Sequence, residues 1–200
     1  MEEIVKKMKI VLGALLGLIF AVSFTHAEVP EKPLHVYLQG GATLPTGDLK
    51  DGYKTGFNAG GGVGFSINEN IEIVGRVLYH SLKLDVEGDF DGGEFTPLMY
   101  GGELKFNTGD EEKNFYLIGG LGLAKVKTKD IEYGGQTMDG MDESGKYFCF
   151  GAGIEFGKFF IEGRYVILDV DVDDHSDMSE EGGGFSDKVK MIPISVGFKF

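Results

Sequence analysis

The run Phe159-Phe160-Ile161-Glu162-Gly163-Arg164-Tyr165-Val166-Ile167-Leu168 carries two patterns at once. Every second residue gives Phe159, Ile161, Gly163, Tyr165 and Ile167, none of them charged. The positions between hold Glu162 and Arg164, an acid and a base two residues apart. Side chains alternate between the two faces of a strand. A strand here therefore has one uncharged face and one face with opposite charges side by side.

The same split recurs in both directions along the chain. Alternating runs bounded by Gly, Asp and Asn predict strands at Leu34–Leu44, Gly56–Ile67, Ile71–Leu84, Thr96–Phe106, Phe115–Val126, Tyr147–Phe156, Phe159–Leu168 and Lys190–Phe200. Each is about 10 to 14 residues, longer than the usual 5 or 6 of a globular strand and enough for a tilted strand to cross a bilayer. One face reads Phe57, Ala59, Gly61, Val63, Phe65 in the second strand and Phe115, Leu117, Gly119, Leu121, Leu123 in the fifth. Between its first and last apolar residue in each strand, that set holds no charge. The other face collects Glu72, Arg76, Glu103, Lys105, Glu155, Glu162, Arg164 and Lys199, with His35, His80, Gln39, Asn58, Ser195 and much glycine.

The uncharged face could turn inward, as in a soluble barrel. Eight strands enclose only a narrow lumen, and so many rings would overfill it. Turned outward, that face meets lipid, where a charge at the midplane costs about 2 to 4 kcal/mol. Backbone groups in hydrocarbon must all be paired, so the sheet must close. The connections agree. Asn68-Glu69-Asn70 and Gly157-Lys158 are tight and Asn107–Asn114 is of middling length, whereas Pro45–Thr55, Asp85–Phe95, Thr128–Lys146 and Asp169–Val189 are long. Long and short connections fall on opposite ends, as in a membrane barrel. Phe65, Phe106, Phe115, Phe156, Phe159 and Phe198 flank the short turns, and Tyr79, Tyr100 and Tyr165 lie nearer the long loops, giving two aromatic girdles.

Composition narrows the classes further. The 200 residues include 33 glycines, 16 phenylalanines, no tryptophan and a single cysteine, with a net charge of −13. So much glycine opposes a helical bundle. The acidic balance opposes nucleic acid as a partner, and one cysteine excludes a disulfide framework. The mean hydropathy of −0.04 averages a lipid face, a polar lumen and hydrophilic loops. Met1–Ala27, with Lys6, Lys7 and Lys9 before the apolar run Ile10–Phe24, has the layout of an export signal. The expected division is a signal peptide at residues 1–27, a cleaved helix, and a barrel domain at 28–200.

The end of the chain, Ile194-Ser195-Val196-Gly197-Phe198-Lys199-Phe200, resembles the last strand of bacterial outer-membrane proteins. The segment Gly40–Leu49 resembles the first strand and loop of small OmpA-like and OmpX-like barrel domains. That resemblance implies an all-β, eight-stranded antiparallel up-and-down transmembrane barrel in the outer membrane of a diderm bacterium. It also implies that Phe200, with Phe198, is an assembly signal read by the barrel-assembly machinery. The peptidoglycan-binding domain that OmpA-type proteins often add is not expected here, since the chain stops at its last strand. The expected partners are outer-membrane lipid and lipopolysaccharide, with an external ligand unknown and the protein a monomer.

Four functional readings follow. The eight inward charges read as an ion-pair network filling the lumen, with a cation or proton path as the alternative. Asp169, Asp171, Asp173 and Glu180 have the spacing of a calcium loop, but Asp174 stands where that motif needs glycine, so they are weak metal candidates and a solvated acidic loop is preferred. No cofactor is expected. A lipid A-modifying enzyme would use His80 or His175 as base, although His80 and Ser81 point to opposite faces of one strand. The expected role is structural, or contact through the acidic loops, ahead of a narrow pore and then an enzyme.

Overall fold

A computed structural model describes residues 33–85, 91–92, 94–108, 113–128, 131–133, 136–138, 142–170 and 187–200. The expected export signal at Met1–Ala27 lies outside them. Eight strands form a closed antiparallel barrel: β1 (Leu34–Thr46), β2 (Gly56–Ser66), β3 (Ile71–Lys83), β4 (Glu94–Asn107), β5 (Lys113–Thr128), β6 (Asp142–Phe156), β7 (Phe159–Val170) and β8 (Asp187–Lys199). Each strand pairs with the next in sequence, and β8 closes on β1. Val36 and Phe200 exchange both backbone hydrogen bonds at that seam, each at 3.0 Å.

The uncharged face is the outer wall. Leu38, Phe57, Val63, Leu104, Leu121, Phe148, Phe150, Val196 and Phe198 all stand exposed on it. The short turns hold by local chemistry. Asn68 Oδ1 accepts from the backbone N–H of Asn70 at 2.9 Å and of Ile71 at 2.8 Å. Gly157 has φ +58°, the left-handed position that a two-residue hairpin loop asks of glycine.

At the long-loop end the strands run past the expected limits. β6 begins at Asp142 rather than Tyr147, and β8 at Asp187 rather than Lys190. The expected loop Thr128–Lys146 therefore includes the start of β6. It also contains Ile131–Tyr133 and Gln136–Met138, which form a small sheet with Asp91–Gly92. Alternating hydrophobicity stops where lipid stops, but the backbone ladder continues into water. Lys127 sits opposite Asp142 there and pairs with it at 3.1 Å.

Both strand prolines fall where a ladder bond is missing. Lys199 donates to Lys158 O at 2.7 Å, so odd-numbered residues of β8 face β7 for bonding. Pro193 is one of these and has no N–H to give Arg164, and the β7–β8 register skips Arg164 and Tyr165. Pro97 interrupts β3–β4 opposite His80 in the same way.

Candidate functional site

The alternation that turns apolar residues outward turns all eight charged residues inward. Glu72, Arg76, Glu103, Lys105, Glu155, Glu162 and Arg164 are each no more than 3% exposed. Lys199 reaches in from the short-turn rim with its side chain 23% exposed. They form two neutral quartets.

The deeper quartet is Arg76, Arg164, Glu103 and Glu162. Arg76 Nε donates to Glu103 Oε2 at 2.9 Å, and Arg76 Nη1 reaches Glu162 Oε1 at 3.3 Å. Arg164 grips Glu103 through both terminal nitrogens, one of them at 3.2 Å, and its Nε donates to Glu162 Oε1 at 2.7 Å. The second quartet, nearer the short turns, is Lys105, Lys199, Glu72 and Glu155. Lys105 pairs with Glu155 and lies 3.5 Å from Glu72. Lys199 reaches the other oxygen of Glu155 at 2.7 Å. Tyr37 and Tyr116 link the two levels. Tyr37 Oη donates to Glu72 at 2.8 Å, and Tyr116 Oη to Glu162 at 3.1 Å. The Lys105 ammonium lies 5.1 Å and 4.3 Å from the centres of the two rings, within cation–π range.

A polar chain leads from the deeper quartet toward the long loops. Arg76 donates to Gln39, and Gln39 Nε2 donates to Ser195 Oγ at 3.2 Å. Ser195 Oγ donates to Asn58 Oδ1 at 2.8 Å, and Asn58 Nδ2 to Thr43 Oγ1 at 3.2 Å. Thr43 Oγ1 meets His80 Nδ1 at 2.9 Å. His80 is wholly buried, and its Nε2 has no hydrogen-bond partner among the described residues. Among the described residues its hydrogen-bond partner is the Thr43 hydroxyl, not the orienting carboxylate of a catalytic base. His175 lies outside the described residues.

Above His80 the lumen differs from the polar interior read from the sequence. Leu78, Leu82, Phe95, Met99, Val166, Leu168 and Met191 form one buried apolar cluster with Tyr147 and Cys149. Leu49 and Tyr53 pack onto it from the first long connection, which holds the 3-10 helix Gly47–Asp51. These residues share the inward parity of the charged ones. The sequence reading missed them because it identified the lumen face by its charges, and none of these residues is charged.

Two of the lumen glycines are seats for tyrosine rings. A Cβ on Gly153 would lie 2.3 Å from Tyr116 Cζ, and one on Gly122 2.6 Å from Tyr147 Cε1. Cys149 is a buried packing residue, as expected. Of the weak metal candidates, Asp169 ends on β7, whereas Asp171, Asp173 and Glu180 lie outside the described residues. Among the described residues no cluster of His, Cys, Asp or Glu could hold a metal ion. Phe198 and Phe200 face outward beside the β1 seam, their ring centres 6.4 Å apart.

The outer membrane protein beta-barrel domain family matches residues 12–200, and the chain belongs to that family. No curated protein matches the sequence. Among solved structures, Neisserial surface protein A is similar at a TM-score of 0.55 and 14% identity, over 84% of this chain and 96% of that one. Ail, the attachment invasion locus protein of Yersinia pestis, is similar at 0.51 and 16%, over 84% and 97%. Ail in complex with the heparin analogue sucrose octasulfate gives 0.51 and 15%, over 84% and 99%. At these identities the likeness shows a shared fold.

Proposed function

We propose that this member of the outer membrane protein β-barrel family is a closed, non-conducting barrel that presents its long loops outside the cell. The observation that carries this reading is the double plug. Two ion-pair quartets fill the short-turn half of the lumen, and an apolar core capped by Leu49 and Tyr53 fills the long-loop half. An ion on the axis would have to cross an uncharged, water-excluding layer and then displace buried charge pairs, each step costly. Export through the leader Met1–Ala27, residence in the outer membrane and assembly guided by Phe198 and Phe200 belong to the same reading.

The loops set the chemistry of contact. Segments 85–94 and 169–187 hold thirteen acidic residues and no lysine or arginine. A basic or cation-bridged partner suits such loops, and a sulfated glycan of the kind bound by Ail does not. A lipid A-modifying activity gains no support from His80, which is sealed inside the wall. Planar-bilayer recording of the full chain tests the plug. The expected result is no conductance steps above the bare membrane. Steps that vanish or change size on substituting Arg76 would refute the reading and favour the pore.

A further inference from the structure

Two features of the outer wall occur on the same strands, and neither has a part in plugging the lumen. The first is a shallow groove of about 610 Å³ on the lipid-facing side, with walls of Leu117, Phe150, Tyr165 and Ile192 and a floor of Ala152 and Gly163. Leu117 and Phe150 are 59% and 60% exposed. A Cβ built on Gly163 meets nothing within 4 Å, so the floor is open space and not merely an absent side chain. The groove lies beside the gap where Pro193 cannot bond to Arg164.

The second is a cluster of lysines above it. Lys125 on β5, Lys146 on β6, and Lys188 and Lys190 on β8 share the parity of the lipid-facing residues and begin where apolar side chains end. Register places them together: Lys146 is opposite Leu123 and Asp169, Lys188 is opposite Asp169, and Lys190 is opposite Ile167. Asp169 of β7 lies among them. Lys127, next along β5, is already paired with Asp142. On the opposite half of the barrel, Lys83 of β3 faces Glu94 of β4 in register, and Lys54 pairs with Asp85 at 3.0 Å. Among the described residues the cationic excess is thus on the grooved side, in a protein whose net charge is −13.

Depth connects the two. Ala152 is six residues from Lys146 on β6. At about 3.3 Å per residue that is roughly 20 Å along the strand, or about 14 Å of depth at a tilt near 45°. Half of a hydrocarbon core is about 15 Å. With the lysines at the headgroup level, the groove sits near the midplane, where an acyl chain would end.

We propose that the β5–β8 wall is a binding site for a phosphorylated, multi-acylated glycolipid of the outer leaflet, its phosphates on Lys125, Lys146, Lys188 and Lys190 and one acyl chain in the groove over Gly163. The test uses the full chain folded in detergent micelles, with fold checked by heat-modifiable gel mobility. Hexa-acylated diphosphoryl lipid A, its dephosphorylated form and phosphatidylglycerol are titrated and read by native mass spectrometry. Diphosphoryl lipid A should bind saturably at one site. The K146Q/K190Q pair should weaken it at least about tenfold, since each interfacial lysine contributes about 1 kcal/mol toward an anionic lipid surface. G163L, which fills the groove, should weaken it at least as much. G102L is the control, because Gly102 is equally open but lies on β4, outside the groove. The proposal is overturned if G163L and G102L bind alike, if the lysine pair binds as tightly as the parent, or if phosphatidylglycerol or dephosphorylated lipid A matches the diphosphoryl form.

Discussion

Removal of Arg164 tests the energetic logic of the lumen most directly. Its guanidinium side chain is 1% exposed and bonds Glu103 and Glu162 together. Arg164→Met keeps the apolar stem and deletes the charge. Arg76 then faces two buried carboxylates alone, and the quartet goes from neutral to −1. Breaking a buried pair by removing one partner costs about 3 to 5 kcal/mol, because the surviving charge remains desolvated. The comparison is Lys199→Gln. Lys199 is 23% exposed at the rim, and Lys105 still serves Glu155 there, so the loss should be near the roughly 0 to 1 kcal/mol of a surface pair. A third variant, Arg164→Met with Glu103→Gln, restores neutrality and should recover a substantial part of the loss. The assay is urea unfolding of the full chain in micelles, with the folded fraction read by heat-modifiable gel mobility. The reasoning is refuted if Arg164→Met unfolds within about 0.5 kcal/mol of the parent, the size of an ordinary surface change. It is refuted equally if the neutral double variant is no more stable than the single one.

Two further substitutions probe the packing. Gly153→Ala would drive a methyl group to 2.3 Å from the Tyr116 ring, which is held by Glu162 and Lys105. Overpacking of this kind costs about 1 to 3 kcal/mol, and a urea midpoint equal to the parent's would contradict it. Leu82→Ala empties part of the apolar plug, where Leu82 is fully buried, and should cost about 2 to 5 kcal/mol in the same assay; a loss below about 1 kcal/mol would mean that the plug is loosely packed.

Strand count, order and sidedness were legible because lipid imposes one severe rule. A period of two with no charge on one face survives every local irregularity, and Phe148, Phe150 and Leu121 stand outside as that rule requires. The charged lumen residues were legible for the same reason, since a charge on a membrane strand has only one face available. Strand ends were not, because Lys127 and Asp142 continue the ladder above the membrane without any apolar signal. The apolar plug was hidden in a different way. Leu78 and Leu82 follow Arg76 on the inward face of β3, and Val166 and Leu168 follow Arg164 on β7, so each strand changes from one apolar face to two partway along. Periodicity measures contrast between faces, and where both are apolar the contrast disappears.

That concealed layer bears on how the ion pairs work. A salt bridge in a water-filled pore is screened and worth little. The deeper quartet here has Met99, Leu82 and Met191 on its long-loop side, and on its short-turn side Tyr37 and Phe160, whose rings meet edge to face at 5.9 Å, ahead of the second quartet. Burial to 2% exposure leaves Glu103 and Glu162 dependent on Arg76 and Arg164 for compensation. The cost of losing one arginine is therefore set as much by the uncharged residues above and below as by the charges themselves. On this account Leu82→Ala in the Arg164→Met background should destabilise less than Leu82→Ala alone. Water admitted through the cavity would reach a carboxylate that has lost its partner and solvate it.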